Sequence, residues 1–317
     1  MALVELQHVS KAFKDQPVLT DLSLAVPEGS IYGFVGENGA GKTTTMKLIL
    51  GLLQRDAGTI TVAGRPVVYG GAAVAAGIGY LPDVPEFYDE LTPSEYLSLC
   101  GRLTGIDGRE LPQRIAAMLK TVGLPQNRRR IRGFSRGMKQ RLGVAQALLA
   151  RPRLLIADEP TSALDPTGRR EFLDLLASLR GETTILLSSH ILGDVERICD
   201  HVGILHGGRL QAQGPLKALL AAHAQAKVAL GFADAATTQQ AAAVLHVAAA
   251  AKPVAAGAAP QPDATAVTAT TLLLPAAQGL TQALQPALAA LLAQGLVPVR
   301  VSPVQPSLED LFMEVTR

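Results

Sequence analysis

The chain has 317 residues, of which 48% are hydrophobic and 18% charged, and its formal net charge is +2. This length suffices for two domains with their own cores, and the near-neutral charge argues against a nucleic-acid binder held mainly by phosphate contacts. The only cysteines are Cys100 and Cys199. They exclude a disulfide framework and indicate a reducing cytosol, and we expect both to be buried small hydrophobic side chains.

The N-terminus and the late apolar stretch both argue against a membrane crossing. MALVELQHVSKAF carries Glu5 and alternates like a strand, so it lacks the apolar core of a signal peptide. Residues 284–299 are apolar but short, and Pro286 and Pro298 interrupt them. We therefore expect no transmembrane segment, and a membrane role requires another polypeptide.

Up to about residue 217, short β-rich runs alternate with helical patterns, which predicts an α/β fold. Four almost continuously apolar runs indicate buried central strands, at 31–36, 153–158, 183–189 and 201–206. The first two strands alternate polar and apolar residues, which predicts a small antiparallel sheet. Thr92 and Glu95 have capping-box spacing around Pro93, which predicts a helix over 93–104.

Beyond Leu220 charged residues thin out and alanine dominates 241–259. This shift predicts two domains, 1–220 with a helical part at about 85–150, and an accessory domain at 221–317. The second has the pattern of a split βαβ, ferredoxin-like domain. Its expected elements are strands at 227–232, near 253–257, at 264–274 and at 297–302, and helices from 235, over 280–294 and over 307–315.

The segment GENGAGKT, residues 36–43, satisfies the phosphate-loop pattern between an apolar strand and a helical pattern. Its glycines allow a tight loop whose N–H groups point at phosphate oxygens; they are Gly36, Gly39 and Gly41. Lys42 places a charge on the β and γ phosphates, and Thr43 supplies a hydroxyl for Mg²⁺. The alternative, an ordinary glycine-rich turn, fits this context poorly, so we expect a nucleoside triphosphate and Mg²⁺ as ligands.

LLIADEP places two acids at the end of a predicted strand. We expect Asp158 to hold Mg²⁺, directly or through water, and Glu159 to polarise the attacking water. The alternative is a solvated turn or cap.

FSRGMKQRL, residues 134–142, is a second candidate anion site. It sets Ser135 and Gly137 immediately ahead of a predicted helix, where backbone N–H groups are free. One nucleotide on one chain does not need two such sites.

Four motifs in order, GENGAGKTT, FSRGMKQRLGVAQAL, LLIADEPTSALDP and ILLSSH, closely resemble the nucleotide-binding subunit of an ABC transporter over about 1–217. The resemblance implies a P-loop NTPase fold of the ABC ATPase type, with a mixed central sheet, an antiparallel N-terminal β subdomain and a helical subdomain. It implies ATP hydrolysis and a homodimer or pseudo-dimer that forms on ATP. The two anion sites on one chain are then explained by a dimer that binds two nucleotides, each held between the phosphate loop of one chain and the second anion site of the other.

The resemblance assigns roles residue by residue. Ser135 and Gly137 match the family's LSGGQ signature, although Phe134, Arg136 and Met138 depart from it, and they address the γ-phosphate held by the other subunit. The implied nucleotide-binding set is Phe13, Val18, Gly36, Glu37, Asn38, Gly39, Ala40, Gly41, Lys42, Thr43, Thr44, Ser135, Gly137 and Asp165.

For three further positions the resemblance implies a role, and a simpler structural interpretation is also possible. Asp165 lies in the loop that crosses the dimer interface and is also a good helix N-cap. His190 matches the switch histidine that touches the γ-phosphate, whereas a lone histidine at a strand end is more often structural. Phe13 stacks on adenine if the resemblance holds, and otherwise is a core or rim residue.

Asp83 departs from the family, which usually has glutamine there. An ionised acid can meet Mg²⁺ or its water but cannot donate a hydrogen bond, so we name Asp83 only as an uncertain metal ligand. We expect 82–96 to face the membrane partner. The segment RRRIR, at 128–132, is more typical of a solvated face, or of arginines that pair with acidic neighbours, than of a nucleic-acid site.

The remaining choice is the kind of ABC protein. A soluble ABC ATPase of translation or DNA repair is the first alternative, but this chain has a single ATPase unit with no sustained heptad and no basic arm. An importer ATPase is the second. SRGM, the segment around Asp83 and the C-terminal PSLEDLFMEVT resemble exporters of drugs, antibiotics or lipids. We therefore expect a peripheral protein at the cytoplasmic face of the membrane, bound to a separate permease, with no nucleic acid.

Overall fold

A computed structural model describes residues 2–71, 77–222, 227–245, 270–275, 280–304 and 306–316. The chain folds into two compact units. One comprises Met1–Leu219 with Phe312–Arg317, and the other comprises Leu220–Leu311.

The strands of the described residues are numbered in chain order. They are β1 Ala2–Phe13, β2 Gln16–Pro27, β3 Ile31–Val35, β4 Ala57–Val62, β5 Arg65–Pro66, β6 Ile78–Leu81, β7 Leu154–Asp158, β8 Thr184–Ser189, β9 His201–His206, β10 Arg209–Pro215, β11 Lys227–Phe232, β12 Thr270–Pro275 and β13 Arg300–Val304.

The helices are numbered in the same way. They are α1 Lys42–Ile49, α2 Pro93–Leu103, α3 Leu111–Thr121, α4 Arg136–Leu148, α5 Pro166–Ser178, α6 Leu192–Ile198, α7 Leu216–Ala222, α8 Ala235–Val244, α9 Leu280–Ala293 and α10 Leu308–Val315. Within the described ranges, none of them has both the length and the apolar character needed to cross a membrane.

The central sheet of the first unit has the order β10-β9-β3-β8-β7-β6. Strands β9, β3, β8, β7 and β6 are parallel, and β10 pairs antiparallel with β9, so the sheet is mixed. Every residue of β3, β7 and β8 is buried, which explains their continuous apolar runs and confirms the predicted central strands. The carboxyl ends of these parallel strands meet at one edge of the sheet, where the loops that follow them lie close together.

The second sheet confirms the antiparallel N-terminal sheet. Its order is β2-β1-β4-β5, and β1 pairs antiparallel with β2 and β4. Lys14 and Asp15 form the turn between β1 and β2 with φ of 44° and 65°. Two central turn residues with positive φ are typical of a two-residue hairpin.

Helices α2, α3 and α4 lie between β6 and β7 in the chain. The predicted capping box at α2 is confirmed, because Glu95 N donates to Thr92 Oγ1 at 3.3 Å and Thr92 N donates to Glu95 Oε2 at 2.8 Å. The backbone and hydroxyl of Thr92 bind the Glu95 carboxylate and lower the pKa of its side chain. The predicted helix over 93–104 ends one residue earlier, at Leu103.

In the second unit, β11 pairs antiparallel with both β12 and β13. The order β12-β11-β13 is the order that a split βαβ domain has for its third, first and fourth strands. Buried side chains of β11, β12 and α9 form the core; they include Val228, Leu230 and Phe232 of β11, Leu272 of β12 and Leu291 of α9. The strand predicted near 253–257 lies outside the described residues, and β13 begins at Arg300 rather than at 297.

Candidate nucleotide-binding site

The loop between β3 and α1 has the geometry of a phosphate cradle. Gly39 and Gly41 have φ of 85° and 111°, a region that residues with a side chain rarely adopt. A Cβ on Gly36 would lie 2.5 Å from the Leu205 carbonyl oxygen, and one on Gly41 would lie 2.6 Å from Leu19 Cδ2. Glycine is therefore required at both ends of this loop, and the loop residues between them, at 37–39, are exposed.

Lys42 begins α1 and is only 6% exposed. Its Nζ donates to the carbonyl oxygens of Gly36 at 2.7 Å and Glu37 at 3.1 Å. The same atom lies 3.2 Å from Glu159 Oε1 as an ion pair. The structure thus brings the phosphate loop together with the acid that follows β7, as the motifs predict.

The two acids at the end of β7 have different surroundings. Asp158 is 4% exposed and accepts a hydrogen bond from Ser188 Oγ at 2.6 Å. Glu159 has a φ of 45°, a left-handed conformation that costs a non-glycine residue about 1–2 kcal/mol. Its backbone N–H donates to the same Ser188 Oγ at 2.9 Å. One buried hydroxyl therefore holds both residues.

His190 follows β8 and lies against Glu159. Its Nδ1 is 2.7 Å from Glu159 Oε2, and its backbone N–H donates to that oxygen at 3.3 Å. The histidine is therefore not isolated, and Glu159 links it to Lys42. Contact of His190 with a γ-phosphate stays a prediction.

Asp83, which follows β6, bonds to the segment after β7. Its Oδ1 accepts from Ser162 Oγ at 2.6 Å, and its carbonyl oxygen accepts from Gln140 Nε2 on α4 at 2.8 Å. Burial, with the charges of Asp158 and Asp83, raises the pKa of Tyr80 to about 12. The Tyr80 phenol therefore stays protonated beside the two carboxylates, and binding of Mg²⁺ by Asp83 stays a prediction.

The signature loop is placed differently from the prediction in one detail. Ser135 is the N-cap of α4 and accepts from Met138 N at 3.3 Å, but Gly137 lies in the first turn of the helix rather than ahead of it. The Gly137 N–H lacks an intrahelical partner whether the residue lies ahead of the helix or in its first turn. The site therefore remains suited to an anion. Asp165 is the N-cap of α5, as predicted, and accepts from Gly168 N at 3.5 Å.

A cleft joins the signature loop to the loop before α5. It is lined by Ser135, Arg136, Gly137, Met138, Arg141, Ala163, Leu164, Asp165, Gly168, Glu171 and Phe172. Among the described residues, none from the phosphate loop lines it. The two anion sites of the chain therefore face different spaces.

The β1-β2 hairpin carries the remaining predicted residues. Phe13 is 46% exposed, and Lys11 Nζ lies 5.4 Å from its ring centroid. Val18 on β2 is half-buried, and its carbonyl oxygen would lie 3.1 Å from a Cβ on Gly41. The exposed ring is thus carried by a hairpin that contacts the phosphate loop, and stacking on adenine stays a prediction.

Two arginines of the arginine-rich segment contact one acidic neighbour, Glu90, as predicted. Arg130 Nη1 lies 2.8 Å from Glu90 Oε2, and Arg132 Nη1 lies 3.6 Å from Glu90 Oε1.

Sequence reasoning missed Ser188 and Ser162. The available signal for Ser188 was a pair of serines at the end of a largely apolar strand, directly before His190. For Ser162 it was only proximity in sequence to Glu159.

The donors and acceptors fit a metal-bound nucleotide. Thr43 is exposed at the start of α1, and its hydroxyl and the Asp158 carboxylate are the oxygen ligands that Mg²⁺ prefers. The exposed loop N–H groups and Lys42 match phosphate oxygens. Fold and site together define a P-loop nucleoside triphosphatase.

Comparison with known proteins identifies the family to which the chain belongs within this class. The family described as ABC transporter matches residues 19–162. An uncharacterized ABC transporter ATP-binding protein of Bacillus subtilis (strain 168), YxlF, is 41% identical over 218 residues, which cover 68% of this chain and 72% of that protein. The bacitracin transport ATP-binding protein BcrA of Bacillus licheniformis is 41% identical over 216 residues, which cover 67% of this chain and 70% of that protein.

Solved structures agree. A structure of the ATP binding subunit of an ABC transporter aligns with a TM-score of 0.63 and 35% identity over 69% of this chain and 92% of that one. The dimeric ATP-binding cassette MJ0796 bound to ADP and Pi aligns with a TM-score of 0.61 at 23% identity over 67% of this chain and 98% of that one, a likeness of fold alone. The chain belongs to the ABC transporter family, as an ATP-binding subunit and an ATP hydrolase.

Proposed function

We propose that two copies of this chain close on two ATP molecules and drive a separate membrane-spanning permease of an export system. The observation that carries the proposal is the separation of the two anion sites. The cleft beside Ser135, Gly137 and Asp165 contains no described residue of the phosphate loop. A second copy that brings its own phosphate loop and nucleotide to this cleft gives Ser135 and the Gly137 N–H their ligand.

The contacts around Lys42 support a role for each residue in hydrolysis. Lys42 and the loop N–H groups bind the β and γ phosphates, and Thr43 and Asp158 would hold Mg²⁺, which neutralises phosphate charge. Glu159 accepts a proton from the water whose oxygen attacks the γ-phosphorus, and the bridging oxygen leaves with ADP. His190 orients Glu159 and contacts the γ-phosphate.

Glu159→Gln tests the dimer directly. The amide cannot accept the proton of water, so the variant should bind ATP and Mg²⁺, stall, and elute as a dimer in size-exclusion chromatography with light scattering. Glu182→Gln is the matched control, because Glu182 is an exposed acid in the turn before β8. This control should hydrolyse ATP normally and remain monomeric after turnover. A Glu159→Gln variant that stays monomeric with ATP contradicts the proposed dimer.

The export assignment rests on similarity to BcrA, a bacitracin transport ATP-binding protein. We place the chain peripherally at the cytoplasmic face of the membrane, where its permease binds it. Co-expression with the membrane protein encoded in the neighbouring genes should retain the chain in the membrane fraction and protect a sensitive bacterium against bacitracin or a related antibiotic. Glu159→Gln should retain membrane binding and abolish protection. Uptake of a substrate instead of protection favours an importer.

We also propose that 1–220 form the ABC ATPase domain and 221–317 an accessory domain. Every candidate site residue lies in the first range, and the second compact unit begins at Leu220, which supports the boundary, whereas Phe312–Arg317 group with the first unit. Limited proteolysis should cut first between about 220 and 227, where β11 begins. A first cut inside the earlier range contradicts this division.

A further inference from the structure

We infer that Ser188 is the positioning residue that sets the metal-binding acid and the water-activating acid relative to each other; this rests on the proposed function. Ser188 is fully buried in β8, and its register partner on β7 is Asp158. Its hydroxyl donates to Asp158 Oδ1 at 2.6 Å and accepts from Glu159 N at 2.9 Å.

One serine hydroxyl can make both bonds at once. It has a single hydrogen, which goes to the carboxylate, and lone pairs, one of which receives the amide N–H. Alanine at this position removes both bonds, and no water replaces them easily in a site with no exposed surface. Asp158 then loses a donor, and Glu159 loses the partner of its backbone N–H.

The backbone conformation of Glu159 makes the hydrogen bond from its N–H to Ser188 Oγ important for the position of its side chain. Its φ of 45° lies in the left-handed region, and such a conformation persists only when neighbours hold it. This backbone directs the carboxylate between Lys42 Nζ, at 3.2 Å, and His190 Nδ1, at 2.7 Å. A relaxed backbone at Glu159 moves the carboxylate away from the water that it activates.

Ser188→Ala should therefore lower kcat about 10- to 150-fold, the range expected for loss of a hydrogen bond to a charged group, and should change KM for ATP little. The Mg²⁺ concentration for half-maximal rate should rise, because Asp158 is less well oriented. Thr184→Val is the matched control. Thr184 is also buried on β8, but its Oγ1 accepts from Gly29 N at 2.9 Å at the other end of the strand.

A double-mutant cycle separates positioning from general loss of stability. If Ser188 acts through Glu159, Ser188→Ala costs less in the Glu159→Gln background than in the wild-type background. An equal loss in both backgrounds, a wild-type kcat for Ser188→Ala, or the same loss in Thr184→Val overturns the inference.

Thermal unfolding of each variant reports on folding, and Ser188→Cys replaces Ser188→Ala if the latter is unfolded. Cysteine retains a weak donor in a similar volume, so its kcat should also fall, without loss of ATP binding. Lys42→Ala is measured in the same assay. Persistent hydrolysis in Lys42→Ala refutes the proposed catalytic site itself, whereas an inactive Lys42→Ala beside a fully active Ser188 variant refutes this inference alone.

Discussion

Removal of the His190 side chain tests the contact between His190, which follows β8, and Glu159, which follows β7. His190→Ala removes the ring contact to Glu159 Oε2 at 2.7 Å but keeps the backbone contact at 3.3 Å. A hydrogen bond to a charged group contributes about 1.5–3 kcal/mol, or about 10- to 150-fold in rate. Deletion of one preorganised electrostatic group typically costs at least about a hundredfold, so we expect a loss of about that size in kcat.

The assay is steady-state phosphate release with saturating ATP and Mg²⁺, and the chain offers a matched control. His201 Nδ1 also lies 2.7 Å from a carboxylate, that of Asp200, at the opposite end of the central strands. His201→Ala should hydrolyse ATP at the wild-type rate. Near-normal hydrolysis by His190→Ala, or an equal loss in His201→Ala, refutes the reasoning.

Two amide variants identify which ring nitrogen matters. Asparagine at His190 places its amide near the position of Nδ1, and glutamine places its amide near that of Nε2. Recovery by His190→Asn indicates that orientation of Glu159 is the main role. Recovery by His190→Gln indicates that the γ-phosphate contact is the main role, and recovery by neither indicates that both are needed.

Two further perturbations address Lys42 and Asp83. Lys42→Ala should weaken ATP binding about 10-fold or more in fluorescence titration, as expected for loss of a buried charged donor, whereas Lys47→Ala, an exposed lysine on the same helix, should not. Asp83→Ala and Ser162→Ala remove the same 2.6 Å hydrogen bond, so each should lower kcat by about 2- to 10-fold and the double variant should be no worse than either alone. A larger loss in Asp83→Ala with a raised Mg²⁺ requirement supports the metal role of Asp83, and full activity of both single variants excludes any role for the bond.

The parts of the structure that the sequence predicted are those encoded within a short window. The apolar runs predict β3, β7 and β8 because these strands are buried on both faces. Turn glycines, the capping box at Thr92 and the N-cap at Asp165 are also local, and the structure confirms both caps.

The parts that escaped prediction are contacts between segments distant in the chain. Ser188 has no local pattern that distinguishes it from Ser189, and only the register of β7 against β8 places it beside Asp158. The bond between Asp83 and Ser162 depends in the same way on where two loops meet. Serines are common in buried strands and loops, so the residue type alone does not reveal a role. The role depends on the hydrogen-bond partner, which is known only from the fold.

The contacts of Lys42 suggest how nucleotide binding and hydrolysis are linked. An ammonium group has three donors, and two of them go to the carbonyl oxygens of Gly36 and Glu37. Glu159 Oε1 lies 3.2 Å from the same Nζ as an ion pair and accepts no hydrogen bond from the described residues. A phosphate oxygen that binds Lys42 therefore competes most directly with Glu159, because the two loop carbonyls lie in the cradle itself. In the proposed reaction, a phosphate oxygen that binds Lys42 Nζ weakens this ion pair and leaves the Glu159 carboxylate free to contact water. Lys42 thus links, in this proposed reaction, the binding of the phosphate to the placement of the Glu159 carboxylate toward the attacking water.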